Sequence, residues 1–268
     1  MGRLNGRVAI VTGGAGGIGS ATAELFIEAG ARVVVADLDA EAARAVAERL
    51  SPGEREAVAV AADVSTEEGA ASVVGAALER WGRLDVLFNN AAAMEASFRD
   101  YGVVDTDLAV WDETFAVNVR GAMLCCRHAV PAMLAGDGGA IINTASIGGI
   151  LPTDNLRVAY STSKAALIML TRHVAASYGK RGIRCNAVAP GIVLTRRARQ
   201  HLGEAAIAAN LAGYPSPRLA EPRDVAEVVV FLAGPGAAMV NGSVIAVDGG
   251  VLAHRAYVED PERTAGGD

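Results

Sequence analysis

The feature that most constrains this chain is a repeated change of period. Short runs rich in β-branched residues alternate with segments whose apolar residues recur at helical spacing. Residues 7–12 (RVAIVT) read as a strand feeding a helix that begins at 17 and presents Ile18, Ala21, Leu25 and Ala29 on one face. Further strands are expected at 32–37, 57–61, 86–89, 140–145, 184–189 and 244–247. Helices are expected between them, at 39–50, 66–81, 111–134, 159–178 and 223–233. Asp39 suits an N-cap, Pro222 a helix start and Gly179 a helix end. Seven short apolar strands separated by helices require one parallel sheet covered on both faces, hence a doubly wound α/β fold.

Composition agrees with one globule that folds alone: 268 residues, 51% hydrophobic and 20% charged, outside the ranges of disordered or disulfide-dependent chains. A net charge of -6 gives no general attraction to a phosphate backbone, so nucleic acid is not an expected partner. No apolar stretch reaches the roughly 20 residues needed to span a bilayer, and the apolar run after the start is too short for a signal segment. No membrane partner is therefore expected, and a cytoplasmic location is. Cys125, Cys126 and Cys185 are odd in number without CxxC spacing, which reads as reduced packing residues. The four histidines lack ligand spacing, so no metal is expected. Residues 1–250 read as a single catalytic domain, with a substrate lid at 192–221 and a C-terminal tail at 251–268 whose segment 252–258 suits an interface.

Immediately after the first strand comes TGGAGGIG, residues 12–19, with Gly13, Gly17, Ile18 and Gly19 in a strand-to-helix turn. Glycine there lets a pyrophosphate approach backbone N–H groups at a helix N-terminus. GK[ST] is missing, which argues against a P-loop. Asp37 ends the second strand, 18 residues beyond Gly19, where a carboxylate accepts both ribose hydroxyls of an adenosine and repels a 2′-phosphate. With no arginine in the glycine turn, NAD is the expected cofactor, and Leu38 follows at the adenine rim. Asp63, in AADVS, suits a hydrogen bond from the adenine amine with Val64 beside it, or a cap for the next helix. Tyr160 and Lys164 stand at i and i+4 of one helix and share a face. A free phenol ionises at about 10, and an adjacent ammonium together with the positive ring of oxidised nicotinamide favours the phenolate that acid–base catalysis needs.

Taken in order, TGGAGGIG, Asp63, NNAA at Asn89, Asn118 in FAVN, Ser146 in NTASIGG, YSTSK at Tyr160, NAVAPG at Asn186 and DGG at Asp248 resemble the short-chain dehydrogenase/reductase family across residues 4–250. The resemblance implies a Rossmann fold with strand order 3-2-1-4-5-6-7 and a homotetramer assembled through helices 111–134 and 159–178, where Cys125, Ala129, Ala165 and Ala166 offer small faces. It also implies that Tyr160 is the acid/base, Lys164 binds nicotinamide ribose and lowers the Tyr160 pKa, Ser146 holds the substrate oxygen, and Asn118 anchors a relay water. Asn89 and Asn90 would stabilise the central sheet and the cofactor edge, their amides tying free backbone groups, with Ala91 beside the cofactor. Pro190 and Gly191 would turn beside the nicotinamide, Ile192 would offer backbone to the carboxamide, and Thr195 a hydroxyl to carboxamide or phosphate. The family commonly has glycine where Ala92 stands, and the Ser146 to Tyr160 interval is fourteen residues, one longer than is common in the family.

Met94, Phe98, Ile150, Leu151, Leu156, Val193 and Leu194 are expected around the substrate and are mostly apolar. This favours a medium-sized apolar or cyclic secondary alcohol, or its ketone, as the small-molecule substrate. Arg157 and the lid arginines Arg196, Arg197 and Arg199 would suit a carboxylate, phosphate or carrier thioester, or solvent. Two other readings are a 3-oxoacyl thioester reductase and a non-catalytic nucleotide-binding protein; retention of Tyr160 and Lys164 weighs against the latter.

Overall fold

The computed structural model describes residues 3–51, 56–152 and 157–254. Among them, seven strands form one sheet in the order β3-β2-β1-β4-β5-β6-β7. The strands are β1 (Val8–Thr12), β2 (Arg32–Asp37), β3 (Ala57–Ala61), β4 (Val86–Asn89), β5 (Gly139–Thr144), β6 (Ile183–Pro190) and β7 (Val244–Val247). Every neighbouring pair is parallel. The helices are α1 (Gly17–Glu28), α2 (Ala40–Leu50), α3 (Glu67–Trp81), α4 (Leu108–Phe115), α5 (Ala122–Ala135), α6 (Val158–Tyr178), α7 (Arg196–Ala212) and α8 (Pro222–Ala233).

Strand alternation sorts side chains into two cores. Along β1, Ala9 and Val11 join Phe26, Phe88, Val225 and Val229 on the face covered by α1 and α8. Val8 and Ile10 join Val73, Leu124, Met133 and Ile141 under α3 and α5. Both faces of the strand are buried, which is why the central strands read as unbroken apolar runs. At the amino ends of the strands, buried Asp85 accepts the Val8 N–H at 2.9 Å and bridges Arg7 and Arg83, each at 2.6 Å.

Two expectations are corrected. The helix expected at 111–134 begins at Leu108 behind the Asp107 cap, widens into a π turn over Ala116–Gly121 and continues as α5. Apolar spacing cannot register that one-residue widening. In the 192–221 stretch, where the sequence suggests a helix-like patch only at 204–211, the helix is longer. This helix, α7, is capped by Thr195 and broken at Gly203, whose φ of 68 interrupts the helical period. In the tail, Val251–Ala253 form one 3-10 turn; residues 255–268, with most of the suggested interface segment, lie outside the described residues. Leu156 lies outside them too. Cys125 and Ala129 pack inside the monomer core, whereas Ala165 faces outward. No described helix is long and apolar enough to cross a membrane.

Candidate active site

The predicted site residues gather at the carboxyl ends of the strands, around the crevice between β1 and β4 where the winding of the sheet reverses. The glycine turn is shaped first by its own packing. Gly13 has φ 61, and a Cβ there would come within 3.0 Å of the Ala91 backbone. Gly17 and Gly19 do not need left-handed backbone; they need close approach. A Cβ on Gly19 would stand 2.1 Å from the Gly13 carbonyl oxygen, and one on Gly17 would meet Thr195 at 2.6 Å. Helix α1 then starts with no side-chain cap and no acidic residue in its first turn, whereas α2, α3, α4 and α7 each have a side-chain cap. Open N–H groups at an acid-free helix start are the donor set that a pyrophosphate takes. The residues present therefore fit a dinucleotide.

Asp37 accepts the Ala15 N–H at 2.9 Å and the Asp39 N–H at 3.2 Å. Its carboxylate thus ties the glycine turn to the end of β2 and keeps further acceptor capacity. Leu38 beside it is exposed and Val64 buried. Asp63 accepts from the Ser65 N–H, while the α3 cap falls to Thr66. Asn90 donates to the carbonyls of Thr12 and Gly13, both at 3.1 Å, and Thr12 Oγ1 accepts from the N–H groups of Asn90 and Ala91. Asn89 behaves differently from its neighbour: its amide reaches Asn143 at 2.8 Å inside the sheet.

Around Tyr160 four elements meet. The Ser146 hydroxyl is near enough to the phenol to pull its pKa down, and it accepts the Gly148 N–H at 3.2 Å. Lys164 is buried, with its ammonium 5.5 Å from the Tyr160 ring centroid and donating to the Thr144 carbonyl at 2.7 Å. Asn118, in the π turn, accepts the Ala93 N–H and donates to Ser163 Oγ, each at 2.9 Å; Ser163 in turn donates to the Tyr160 carbonyl at 2.7 Å. A cavity of about 10 Å³, room for one water, lies beside Asn118, Asn89 and Thr12.

The electrostatics depart from expectation. Burial raises the Tyr160 phenol above its ordinary value, outweighing the Ser146 hydrogen bond and the charge of Arg157 that pull it down. Burial also pushes Lys164 down to about 8. The expected depression of Tyr160 by Lys164 is thus not a property of these side chains alone.

Pro190 ends β6, and a Cβ on Gly191 would meet the Tyr214 hydroxyl at 2.8 Å. Ile192 N–H, expected to face a carboxamide, donates to Tyr214 Oη at 2.9 Å. Thr195 Oγ1 accepts the Ala198 N–H at 3.0 Å as the α7 cap, while its methyl lies against Gly17. The sequence reading missed Asp100, which is buried and accepts the N–H groups of Ala159 and Tyr160 at 3.1 and 2.7 Å. It missed Tyr214 as well. Ser163 was within reach, being one helical turn from Tyr160.

Comparison with known proteins agrees with this geometry. A family profile described as Enoyl-(Acyl carrier protein) reductase matches residues 13–252. A probable short-chain type dehydrogenase/reductase of Bradyrhizobium diazoefficiens is 44% identical over 95% of this chain and 90% of its own. A cis-4-hydroxycyclohexanecarboxylate dehydrogenase of Sinomonas cyclohexanicum is 41% identical over 92% and 97%. The crystal structure of a short-chain dehydrogenase/reductase from Burkholderia xenovorans superposes with a TM-score of 0.88 at 34% identity, covering 96% of this chain and all of its own. With these matches, an uncapped glycine turn for an NAD(P)-type cofactor beside a half-buried Tyr160 and a buried Lys164 belongs to an oxidoreductase, and the chain is a member of the short-chain dehydrogenase/reductase family.

Proposed function

We infer that the protein interconverts a secondary alcohol and its ketone using NAD, with Tyr160 as the acid/base. The observation that carries this reading is the convergence of Ser146 and Lys164 on Tyr160. Bound nicotinamide supplies the hydride acceptor in oxidation and the donor in reduction. In the oxidative direction Ser146 and Tyr160 hold the substrate hydroxyl, Tyr160 Oη takes its proton, and the carbinol hydrogen leaves as hydride. Lys164, fixed by the Thr144 carbonyl, holds the nicotinamide ribose and favours the phenolate. The positive ring of oxidised nicotinamide adds to that effect, which offsets the burial that raises the phenol. Both ends of the Asn118 side chain are engaged, so anchoring a relay water falls to its main-chain carbonyl in the π turn.

Asp37 supports NAD over NADP, because a 2′-phosphate would meet its carboxylate, and no arginine stands in the glycine turn to compensate. Gly13, Gly17, Ile18 and Gly19 take the pyrophosphate, with Asp63 and Val64 at the adenine and Pro190, Gly191 and Thr195 near the nicotinamide half. Phe98, Ile150 and Leu151 are exposed apolar residues suited to a cyclic substrate body, in keeping with the relative described as a cis-4-hydroxycyclohexanecarboxylate dehydrogenase. A homotetramer built on α4, α5 and α6 is supported by Met123 and Met169, which those helices leave exposed; sedimentation as a monomer would refute it.

The test is absorbance at 340 nm with NAD and NADP against cyclic alcohols, hydroxysteroids, polyols and hydroxyacyl thioesters. NAD-linked oxidation of a cyclic alcohol is expected, and Tyr160→Phe should lower turnover by about 10² to 10⁴ with cofactor binding unchanged. Turnover retained in Tyr160→Phe, or reduction of acyl thioesters alone, would overturn the reading.

A further inference from the structure

We propose that Arg157 and Arg197 form an anion-binding subsite at the mouth of the catalytic cleft, and that the substrate is a secondary alcohol carrying a carboxylate at the end remote from its carbinol. The proposal builds on the assignment of Tyr160 as acid/base. Three segments distant in sequence meet at Phe98: the loop after β4, the start of α6 and the first turns of α7. The Phe98 ring stacks on His201 with centroids 4.5 Å apart and planes at 13°. The Arg197 guanidinium lies 5.4 Å from the ring centroid and that of Arg157 5.9 Å. An aromatic ring within 6 Å of two guanidinium groups is an apolar surface with a cationic rim.

The two cations differ in what balances them. Arg197 is paired with Glu95 across the cleft, yet its Nε is buried without a hydrogen-bond partner. Glu95 shows that this guanidinium accepts a carboxylate and leaves part of its fork unused. Arg157 has no carboxylate in ion-pairing range among the described residues, although it is only partly exposed. A ring face compensates a guanidinium far less than a charge-assisted pair does. Arg157 is also near enough to Tyr160 for its charge to act on the phenol. A ligand with its hydroxyl on Tyr160 and Ser146 and its ring against Phe98 would bring a remote carboxylate to this rim, where the planar fork favours bidentate pairing.

Calorimetry on protein saturated with the reduced form of the cofactor chosen by the 340 nm assay tests this without turnover, using cyclohexanecarboxylate and its uncharged isostere cyclohexanecarboxamide. The acid should bind at least about tenfold more tightly, the worth of one charge-assisted hydrogen bond. The advantage should vanish in Arg157→Gln, shrink in Arg197→Gln and return in part in Arg157→Lys, with thermal melts reporting that the variants fold. No preference for the acid in the wild type, or one that survives Arg157→Gln, overturns the proposal. Tyr160→Phe should keep the preference while losing alcohol oxidation; if it keeps both, the acid–base assignment fails and the anion subsite stands.

Discussion

The Asp100 carboxylate accepts the backbone N–H of Tyr160 at 2.7 Å, and its other oxygen takes that of Ala159 at 3.1 Å. Arg157, the residue at the N-cap position of α6, makes no side-chain cap. A carboxylate 60 residues away in the chain therefore does the work of a cap and fixes the turn that carries the phenol. Asp100→Ala should lower stability by about 1–3 kcal/mol, the cost of leaving buried N–H groups unpaired, and should reduce kcat more than KM. Asp100→Asn, which keeps one acceptor, should lose less of both. Urea denaturation alongside steady-state kinetics measures the two effects.

Lys164 makes stability depend on pH in a defined direction. Its folded-state pKa, about 8, lies below the 10.5 of a free lysine. Between those values the unfolded chain binds more protons than the folded one, so stability contributed by this group rises with pH across the window. Below about 8 the protonated lysine carries its full burial cost. The stability of the wild type relative to Lys164→Met should therefore climb from pH 8 to 10.5 and be flat below it, as read from paired urea titrations.

Gly19→Ala should abolish dinucleotide binding and destabilise the fold by about 1–3 kcal/mol, because its Cβ would be driven into the Gly13 carbonyl at 2.1 Å. Gly203→Ala meets nothing within 4 Å but keeps φ 68; it should cost about 1 kcal/mol and leave cofactor affinity intact. Thermal melts with and without NAD separate the two.

Asp37→Ala should lower kcat/KM for NAD by about tenfold or more, the worth of a charge-assisted hydrogen bond, and narrow the gap to NADP by removing the repelling charge. Since Asp37 also holds the Ala15 N–H, the variant should not become an efficient NADP enzyme. Kinetics with both cofactors check this.

Burial pushes the thiols of Cys125 and Cys126 up to about 12 and that of Cys185 well above its ordinary value. All three should resist a thiol reagent at pH 8 in the folded protein and react together on unfolding. A single fast-reacting thiol would contradict this.

The strands and the residues at their carboxyl ends were legible in the sequence because each combines a local period with a local turn. Asp39 as the α2 cap, the β1-to-α1 turn and the pairing of Tyr160 with Lys164 all depend on neighbours within a few residues. What stayed hidden depends on distant contacts. The π turn at Asn118 changes backbone bonding without altering which residues are apolar. Asp100 acts on α6 from another loop, and Tyr214 meets Ile192 only because the chain after α7 returns to the end of β6. The rise of the Tyr160 phenol was hidden for the same reason, since burial is a sum over the whole fold.

The parallel sheet also divides tolerance to change between its two ends. At the amino ends, Asp85 locks Arg7, Arg83 and the start of β1 into one charged knot, where a substitution bears on whether the chain folds. At the other ends, the loop after β4, the start of α6 and the turns of α7 meet through side chains such as Phe98, Glu95 and Arg197, with one backbone hydrogen bond, from the Val158 N–H to the Tyr101 carbonyl at 3.0 Å. Those loops can exchange residues, and with them substrates, while the knot beneath keeps the scaffold constant.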